Sequence, residues 1–371
     1  MTNWIFRLAA GIILLAVLLG AGGYYLTHHV DWIRVHYKRF KAPNVYVFDE
    51  VNPQYLATDP AKLIRIAAPE NAAQIRAALT DAIWGAGDGP AGVPPAIVVP
   101  GAAPPALAAL AASSLRLEAP IDLGYKAHIY LLEPQRPNGR LIIYQNGYAS
   151  TVAAAAPLIG ALLEKGYAVA ALDYPGYGEN GMGRTYIDRF GWYDLSHDRI
   201  IAVHDHPMRF YVEPVIAFLN YAAASETYSA FDMTGFSAGG WITTLAAAVD
   251  HRIRRSVTVA GGYPLYLRVG AFRNQSPPPQ FHQPLLQAAN YLEMYVLAGA
   301  GEGRRLIQIF NRYDGCCYRN TLGMLYEPAV RDAVARAGGG GFDVLIDESH
   351  ADHKVSDWAT ARILEKLGSG N

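Results

Sequence analysis

The chain has 371 residues, of which 51% are hydrophobic and 17% are charged, so it can bury at least one large core and is not broadly disordered. Its formal net charge is -1. Lysines and arginines are spread along the sequence and do not form the basic face that binding to phosphates needs, which argues against a nucleic-acid partner. The two cysteines, Cys316 and Cys317, are neighbours and cannot link distant segments.

The N-terminus carries an uncharged, mostly apolar run at residues 8–26, which follows a single cation, Arg7. As a helix this run would span about 28 Å, close to the hydrocarbon thickness of a bilayer. Aromatic residues, whose rings prefer the headgroup level, lie near its ends: Trp4, Tyr24, Tyr25 and Trp32. We predict that residues 1–30 form a single-pass membrane anchor in contact with the lipid bilayer. A cleaved secretory signal, processed near residues 20–23, is the alternative.

Basic residues are more numerous after this run than before it: Arg34, Lys38, Arg39 and Lys41. The positive-inside rule then favours a cytoplasmic location for the rest of the chain. The first of these cations lies several positions beyond the apolar run, so a periplasmic location stays open. A cleaved signal would make the protein secreted or periplasmic, and the sequence leaves the side of the membrane undecided.

Residues 31–113 are predicted to be a helical region followed by a linker. Within them, apolar residues recur at helical spacing over residues 71–84, which predicts one amphipathic helix. Residues 85–105 are rich in glycine, proline and alanine and are predicted to be a loop.

From residue 114 onward, short apolar runs alternate with helical stretches, and residues 114–371 are assigned to one α/β domain. The apolar runs predict strands at residues 114–118, 127–132, 141–144, 168–172, 230–234, 256–260, 306–310 and 344–346. The first two would form an antiparallel edge, and the others a parallel sheet covered by helices on both faces. Two longer intervals, residues 180–212 and 263–303, are predicted insertions that could form a lid over a site.

A G-x-S-x-G motif at residues 235–239 centres on Ser237. It lies where a predicted strand ends and a predicted helix begins, which is the context of a nucleophile elbow. Such a turn is so tight that side chains larger than glycine would collide with the neighbouring backbone. We therefore predict that Ser237 is a catalytic nucleophile.

A serine nucleophile needs a base and an acid that orients the base. Asp314 follows the predicted strand 306–310 directly, so its carboxylate would lie at the carboxyl edge of the sheet. His350 and His353 both lie between the last strand and the last helix. We favour His353 as the base, because Ala-Asp-His before a closing helix resembles the usual histidine loop of such enzymes; His350 is the alternative.

The developing oxyanion needs N–H donors held in place before the reaction. The backbone N–H of Ala238, directly after the nucleophile, is one candidate. The second is the backbone N–H of Tyr148, which follows Gly147 in the loop after the predicted strand 141–144. Asn146 stands in this loop where a histidine is commoner.

The loop after strand 168–172 has the pattern D-x-x-G-x-G at residues 173–178. With the serine elbow and the order Ser, Asp, His, it resembles the α/β-hydrolase superfamily from about residue 115 to the end. Residues 124–134 resemble the lead-in strand of its prolyl-oligopeptidase-like and acetyl-esterase-like branches. The resemblance implies an eight-stranded, mostly parallel sheet, a Ser-Asp-His triad and no cofactor, but it implies no substrate.

The expected activity is that of a serine hydrolase that cleaves the carboxylic ester of a small acyl substrate through an acyl-enzyme. A serine peptidase of the oligopeptidase type is one alternative, although the region before residue 114 is too short for a propeller domain. A membrane-tethered binding protein without turnover is another. His204 and His206 resemble a fragment of a metal site, but no complete metal-binding motif is present, so no metal is predicted. The sequence indicates neither the acyl chain length nor an oligomeric state.

Overall fold

The computed structural model describes residues 2–41, 51, 53–87, 89–268 and 278–368. Residues 42–50 of the predicted N-terminal region and residues 269–277 of the predicted second insertion lie outside this described part. The α-helices of the described part are, in chain order, Thr2–His29 (α1), Asp31–Lys41 (α2), Pro53–Leu56 (α3), Pro69–Trp84 (α4), Pro105–Ala108 (α5), Ala156–Glu164 (α6), Arg209–Ala224 (α7), Ala238–Val249 (α8), Gln283–Ala288 (α9), Tyr291–Gly299 (α10), Glu327–Arg336 (α11) and Asp357–Gly368 (α12).

The strands of the described part follow the same convention. They are Ile97–Val99 (β1), Ser113–Pro120 (β2), Lys126–Glu133 (β3), Arg140–Gln145 (β4), Ala168–Leu172 (β5), Arg184–Ile187 (β6), Gly191–Asp194 (β7), Ala230–Phe236 (β8), Ile253–Val259 (β9), Arg305–Asn311 (β10) and Gly341–Asp347 (β11).

One large sheet organises the domain, with the strand order β1-β2-β3-β5-β4-β8-β9-β10-β11. The strands from β5 to β11 in this order pair in parallel, whereas β1, β2 and β3 pair antiparallel with their neighbours. Because the carboxyl ends of parallel strands meet at one edge, the loops after β4, β5, β8, β10 and β11 all lie at that carboxyl edge.

Helices cover both faces of the sheet, as the near-continuous apolar runs of its central strands require. Alternate residues of β4 point to opposite faces: Leu141 and Ile143 pack with residues of α7, α8 and α10, and Ile142 and Tyr144 pack with residues of α6 and α12. Ser237, which directly follows β8, is thus held between two packed layers.

The predicted α/β fold with a large, mostly parallel sheet is confirmed, and each of the eight predicted strands is present. The predicted number of strands is wrong by one, because β1 lies inside the stretch predicted as a loop. This short strand pairs with β2 at the edge of the sheet, from Ile97 opposite Glu118 to Val99 opposite Arg116.

The two predicted insertions differ in structure. Residues 180–212 contain an antiparallel hairpin, β6 and β7, that forms its own two-stranded sheet. The described part of residues 263–303 includes α10, all of whose residues are buried. That helix is a core element between β9 and β10, so a lid could come only from the residues before it.

The N-terminal helix is exposed along its length. Trp4–His29 has a mean hydropathy of 2.3, and none of it is buried in the protein. In the described part of the chain it is the one helix long and apolar enough to cross a membrane, although a secretory signal has the same properties.

Candidate active site

Ser237 occupies a sharp turn between β8 and α8. Its φ is 54° and its ψ is -128°, in the left-handed region that residues with a β-carbon rarely adopt. The turn is fixed by the Ser237 N–H, which donates to the Val259 carbonyl at 2.8 Å, and by the Ser237 carbonyl, which accepts from the Gly240 N–H at 2.9 Å.

The glycines around this turn allow close backbone contacts. A β-carbon on Gly239 would lie 2.1 Å from the Gln145 carbonyl oxygen, and one on Gly235 would lie 2.4 Å from the Gly239 carbonyl oxygen. Both distances are far below van der Waals contact. The G-x-S-x-G pattern is therefore required sterically in this fold.

The structure brings Ser237, His353 and Asp314 together in one hydrogen-bonded chain. His353 Nε2 lies 2.9 Å from Ser237 Oγ, and His353 Nδ1 lies 2.6 Å from Asp314 Oδ2. The His353 ring also packs on Phe236, with 4.7 Å between ring centroids. These are the distances that a nucleophile, a base and an orienting acid require.

Asp314 is completely buried at the end of β10. Burial raises the pKa of this carboxyl, but the hydrogen bond and charge of His353 and two backbone N–H groups outweigh it, so the pKa is lowered. The two N–H groups belong to Cys316 and Cys317 and donate to Asp314 Oδ1 at 2.6 and 3.1 Å. The carboxylate is therefore held charged and in one orientation.

His350, the alternative base, lies elsewhere. Its ring is buried, its Nδ1 accepts from the Asp352 N–H at 3.1 Å, and its Nε2 lies 3.3 Å from Asp347 Oδ2. These contacts fix the turn that carries His353. Asn311 supports the same loop from β10, since its Nδ2 donates to the Lys354 carbonyl at 3.0 Å.

The residues of the two predicted oxyanion donors belong to segments that adjoin Ser237. Ala238 is the first residue of α8. Tyr148 follows Gly147, whose backbone passes so close to the serine that a β-carbon on it would lie 2.9 Å from Ser237 Cβ. The Tyr148 ring stacks on His197, with 5.8 Å between centroids, so a residue of the first insertion contacts the loop after β4.

A pocket of about 420 Å³ opens beside His353, between the loop after β4 and the loop that leads into α12. About half of its lining residues are apolar: Ala149, Ala154, Ala155, Pro157, Leu158, Phe236 and Val355. The others carry polar or charged groups: Tyr144, Asn146, Tyr148, Ser150, His353, Lys354, Asp357 and Thr360. This lining suits a small acyl or alkyl group.

Asp173, the first residue of the D-x-x-G-x-G loop, links two loops through hydrogen bonds. Its carboxylate accepts from the Val152 N–H at 2.6 Å and from the Glu179 N–H at 3.1 Å. Burial raises its pKa in spite of these bonds. It joins the loops after β4 and β5 and so shapes the site without touching Ser237.

The histidines that resemble a metal-site fragment have other contacts. His204 Nε2 lies 3.1 Å from Asp122 Oδ2, and His204 Nδ1 accepts from the His206 N–H at 2.9 Å. Within the described part, one group of ligand atoms lies close enough together to hold a metal, that of Cys316, Cys317 and His353. The sulfur atoms of those cysteines are bonded to each other in a disulfide.

One contact of the site was not predicted. Arg34 of α2 forms an ion pair with Asp352, beside His353, with 2.7 Å between Arg34 Nη2 and Asp352 Oδ1. These residues are 318 positions apart in the sequence, and no local pattern marks the pair. The cysteine contacts to Asp314 could have been foreseen, because an aspartate often accepts from N–H groups two or three residues later.

Comparison with known proteins identifies the fold. No known protein family matches the sequence, and no curated protein matches it. Among solved structures, acetyl xylan esterase 1 from Thermoanaerobacterium sp. JW/SL YS485 is similar with a TM-score of 0.54 at 13% identity, over 86% of this chain and 98% of that one. Methylesterase BT1017 is similar with a TM-score of 0.58 at 15% identity, over 87% of this chain and 69% of that one. The chain has the α/β-hydrolase fold.

Proposed function

We propose that this protein is a serine hydrolase that cleaves a carboxylic ester through an acyl-enzyme. Ser237 is the nucleophile, His353 the base and Asp314 the acid that orients it. The observation that carries the proposal is the position of His353, within hydrogen-bond distance of both Ser237 Oγ and Asp314 Oδ2. The strained backbone at Ser237 supports it, because strain of this kind concentrates at functional residues.

The chemistry follows from the geometry. His353 Nε2 takes the proton from Ser237 Oγ as that oxygen attacks the ester carbonyl carbon. The backbone N–H groups of Ala238 and Tyr148 stabilise the negative charge on the carbonyl oxygen. His353 then gives its proton to the leaving alcohol, and a water deprotonated by His353 releases the acid and restores Ser237. Asp314 stabilises the positive charge that His353 carries in between.

An ester is preferred over a peptide as the substrate. The pocket beside His353 has a volume of about 420 Å³, and its apolar side chains suit one short acyl or alkyl group. The two similar structures are named as esterases, which agrees with this choice. At such low sequence identity, the substrates of those proteins cannot be assigned to this one, since one fold hosts many activities.

The proposal is tested with p-nitrophenyl acetate, butyrate and octanoate. We expect the full-length protein to release p-nitrophenol, and Ser237→Ala and His353→Ala each to lower kcat by about 10⁴ or more. His350→Asn is the matched control, because it also removes an imidazole but keeps an acceptor near the position of Nδ1. It should change kcat less than about tenfold.

Two results would contradict this assignment. A loss in kcat of less than about tenfold in a folded His353→Ala would mean that His353 is not the base. A folded protein that cleaves no ester would favour a peptidase if peptide p-nitroanilides are cleaved, and a non-catalytic binding protein if they are not.

We infer also that α1 anchors the protein in a membrane. The inference rests on its length, its mean hydropathy of 2.3 and the fact that none of Trp4–His29 is buried, since burying such a surface in lipid removes a large apolar area from water. The protein should stay in the membrane fraction after extraction at alkaline pH. Release into the supernatant, with a mass lower by that of α1, would show a cleaved signal instead.

A further inference from the structure

The N-terminal helix continues almost directly into α2. One residue, Val30, separates them, and backbone hydrogen bonds run from the Val30 N–H to the Leu26 carbonyl at 3.2 Å and from the Arg34 N–H to the Val30 carbonyl at 2.9 Å. If α1 spans a bilayer, the membrane surface lies near His29. The position of α2 relative to the bilayer is then fixed by its link to α1.

Helix α2 packs on the loop that carries His353. Besides the ion pair of Arg34 with Asp352, Lys38 Nζ donates to the Ala351 carbonyl at 2.5 Å. Val35 is buried against Ala351 and Tyr313. At 1.5 Å per residue, the seven steps from Asp31 to Lys38 span about 10 Å. The histidine loop therefore lies roughly within that distance of the membrane end of α1.

The outer surface of α2 has the chemistry of a membrane interface. Trp32 and Phe40 are 68% and 88% exposed, and Tyr37 is also exposed. The basic residues Arg39 and Lys41 are exposed beside them. Aromatic rings prefer the headgroup level of a bilayer, and basic side chains are attracted to anionic lipids.

A second exposed aromatic group lies on the hairpin of β6 and β7. Tyr186, Phe190 and Trp192 are 57%, 50% and 64% exposed. Arg184 lies over the Trp192 ring and Arg189 over the Phe190 ring. This hairpin, like α2, combines exposed aromatic rings with arginine side chains.

Both features lie at the carboxyl edge of the sheet. The hairpin follows the loop after β5, whereas α2 contacts the loops after β10 and β11. Ser237 ends β8, which lies between β5 and β10 in the sheet. The two aromatic features therefore belong to connections on either side of Ser237 in the strand order.

We propose that this edge faces the bilayer, and that the substrate is an ester held in the lipid phase. The inference rests on the proposed esterase function and on α1 as an anchor. Contact of α2 with a membrane at one end and of the hairpin at the other places the opening of the site against the lipid. An ester with a long acyl chain can then reach Ser237 without crossing water.

The test uses the full-length protein in phosphatidylcholine and phosphatidylglycerol vesicles. The two substrates are p-nitrophenyl acetate in the water and p-nitrophenyl palmitate in the vesicles. Adding lipid at a constant total amount of palmitate should slow its cleavage, because the surface concentration falls, and should leave acetate cleavage unchanged. The variant Tyr186→Ser, Phe190→Ser, Trp192→Ser should lower palmitate cleavage about fivefold or more, and acetate cleavage less than twofold.

The matched control is Ile97→Ser with Val98→Ser, which removes exposed apolar side chains from the edge strand β1. It should affect neither substrate. The position of the hairpin is checked with phosphatidylcholine spin-labelled close to the headgroup. This lipid should quench tryptophan fluorescence more in the unmodified protein than in Trp192→Phe.

The outcomes separate the two proposals. Three results would overturn the lipid-facing site while the esterase proposal stands. The rate of palmitate cleavage would stay the same when lipid is added, the hairpin variant would lose equal activity on both esters, or the spin-labelled lipid would quench the unmodified protein and Trp192→Phe equally. Cleavage of neither ester by the unmodified protein would overturn the esterase proposal, and this inference with it.

Discussion

At the scale of single residues, Ser237 carries both the conformational cost and the proposed chemistry of the site. A backbone with φ of 54° costs a residue with a β-carbon on the order of 1–3 kcal/mol, and here it is held by hydrogen bonds to Val259 and Gly240. The cost is offset by the packing of α8 and the sheet. What it provides is a hydroxyl at the top of the turn, within reach of His353.

Asp347 is a buried carboxylate that contacts the histidine loop through Ser349, His350 and Ser356. Burial raises the pKa of this carboxyl, but His350, Ser349 and Ser356 bind the charged form and lower the pKa to about 2. A carboxyl with a pKa of about 2 in the folded state, against 3.8 in its ordinary range, contributes about 2 kcal/mol to stability above pH 4.

We predict that this contribution is lost as the pH falls from about 4 towards 2, because the unfolded chain takes up the proton first. Asp347→Asn should lower the free energy of unfolding by about 2 kcal/mol at pH 6. At pH 3 the loss should be smaller, about 1 kcal/mol. The measurement is urea unfolding of both proteins at the two pH values, so that other carboxyls cancel in the difference. A difference that is the same at both values would show that the pKa of Asp347 is not lowered.

At the scale of elements, the junction of β8, α8 and the loop after β4 depends on Gly239. We predict that Gly239→Ala destabilises the protein by about 3 kcal/mol or more, because the new β-carbon would meet the backbone oxygen of Gln145 at 2.1 Å, and backbone atoms cannot move aside as side chains do. Urea unfolding gives the free energy directly.

Gly183→Ala is the matched control. A β-carbon on Gly183 meets no atom within 4 Å, and its φ lies outside the left-handed region. The free energy of unfolding should change by less than about 0.5 kcal/mol. Similar effects of the two substitutions would mean that the tight approach at the elbow is not what Gly239 provides.

Helices and strands with a clear pattern of apolar residues could be predicted from the sequence, and short strands could not. The strand at residues 168–172 was predicted with the bounds that the structure gives, because five buried residues in a row are typical of a central parallel strand. Strand β1 was missed because Ile97–Val99 lies among prolines, alanines and glycines, and its pairing with β2 is what makes it a strand. The hairpin of β6 and β7 was missed because each of its strands has four residues and pairs with the other outside the main sheet.

For the site, local context predicted Ser237 and Asp314, since each directly follows a strand. The choice between His350 and His353 could not be made from spacing alone, because both lie on one loop whose turn decides which ring reaches Ser237. The structure brings His353 to Ser237 and turns His350 towards Asp347. The catalytic roles themselves stay predictions.

At the scale of the whole molecule, the N-terminal helices α1 and α2 are joined to the loop of His353 through contacts of α2. Helix α2 follows α1 and holds the loop of His353 through Arg34, Val35 and Lys38. A membrane anchor in many proteins is a flexible tether. If α1 is the membrane anchor proposed above, its continuation α2 contacts the loop on which the proposed chemistry depends, and anchoring and activity would be physically linked.

The central claim is that Ser237 is an activated nucleophile. It is tested most directly by labelling the full-length protein in native membranes with a fluorophosphonate, followed by mass spectrometry of the digested protein. We predict one adduct, on the peptide that contains Ser237, absent in Ser237→Ala and formed at least about 100-fold more slowly in His353→Ala. A folded protein that takes no label, or a label on another residue that persists in Ser237→Ala, would contradict the account.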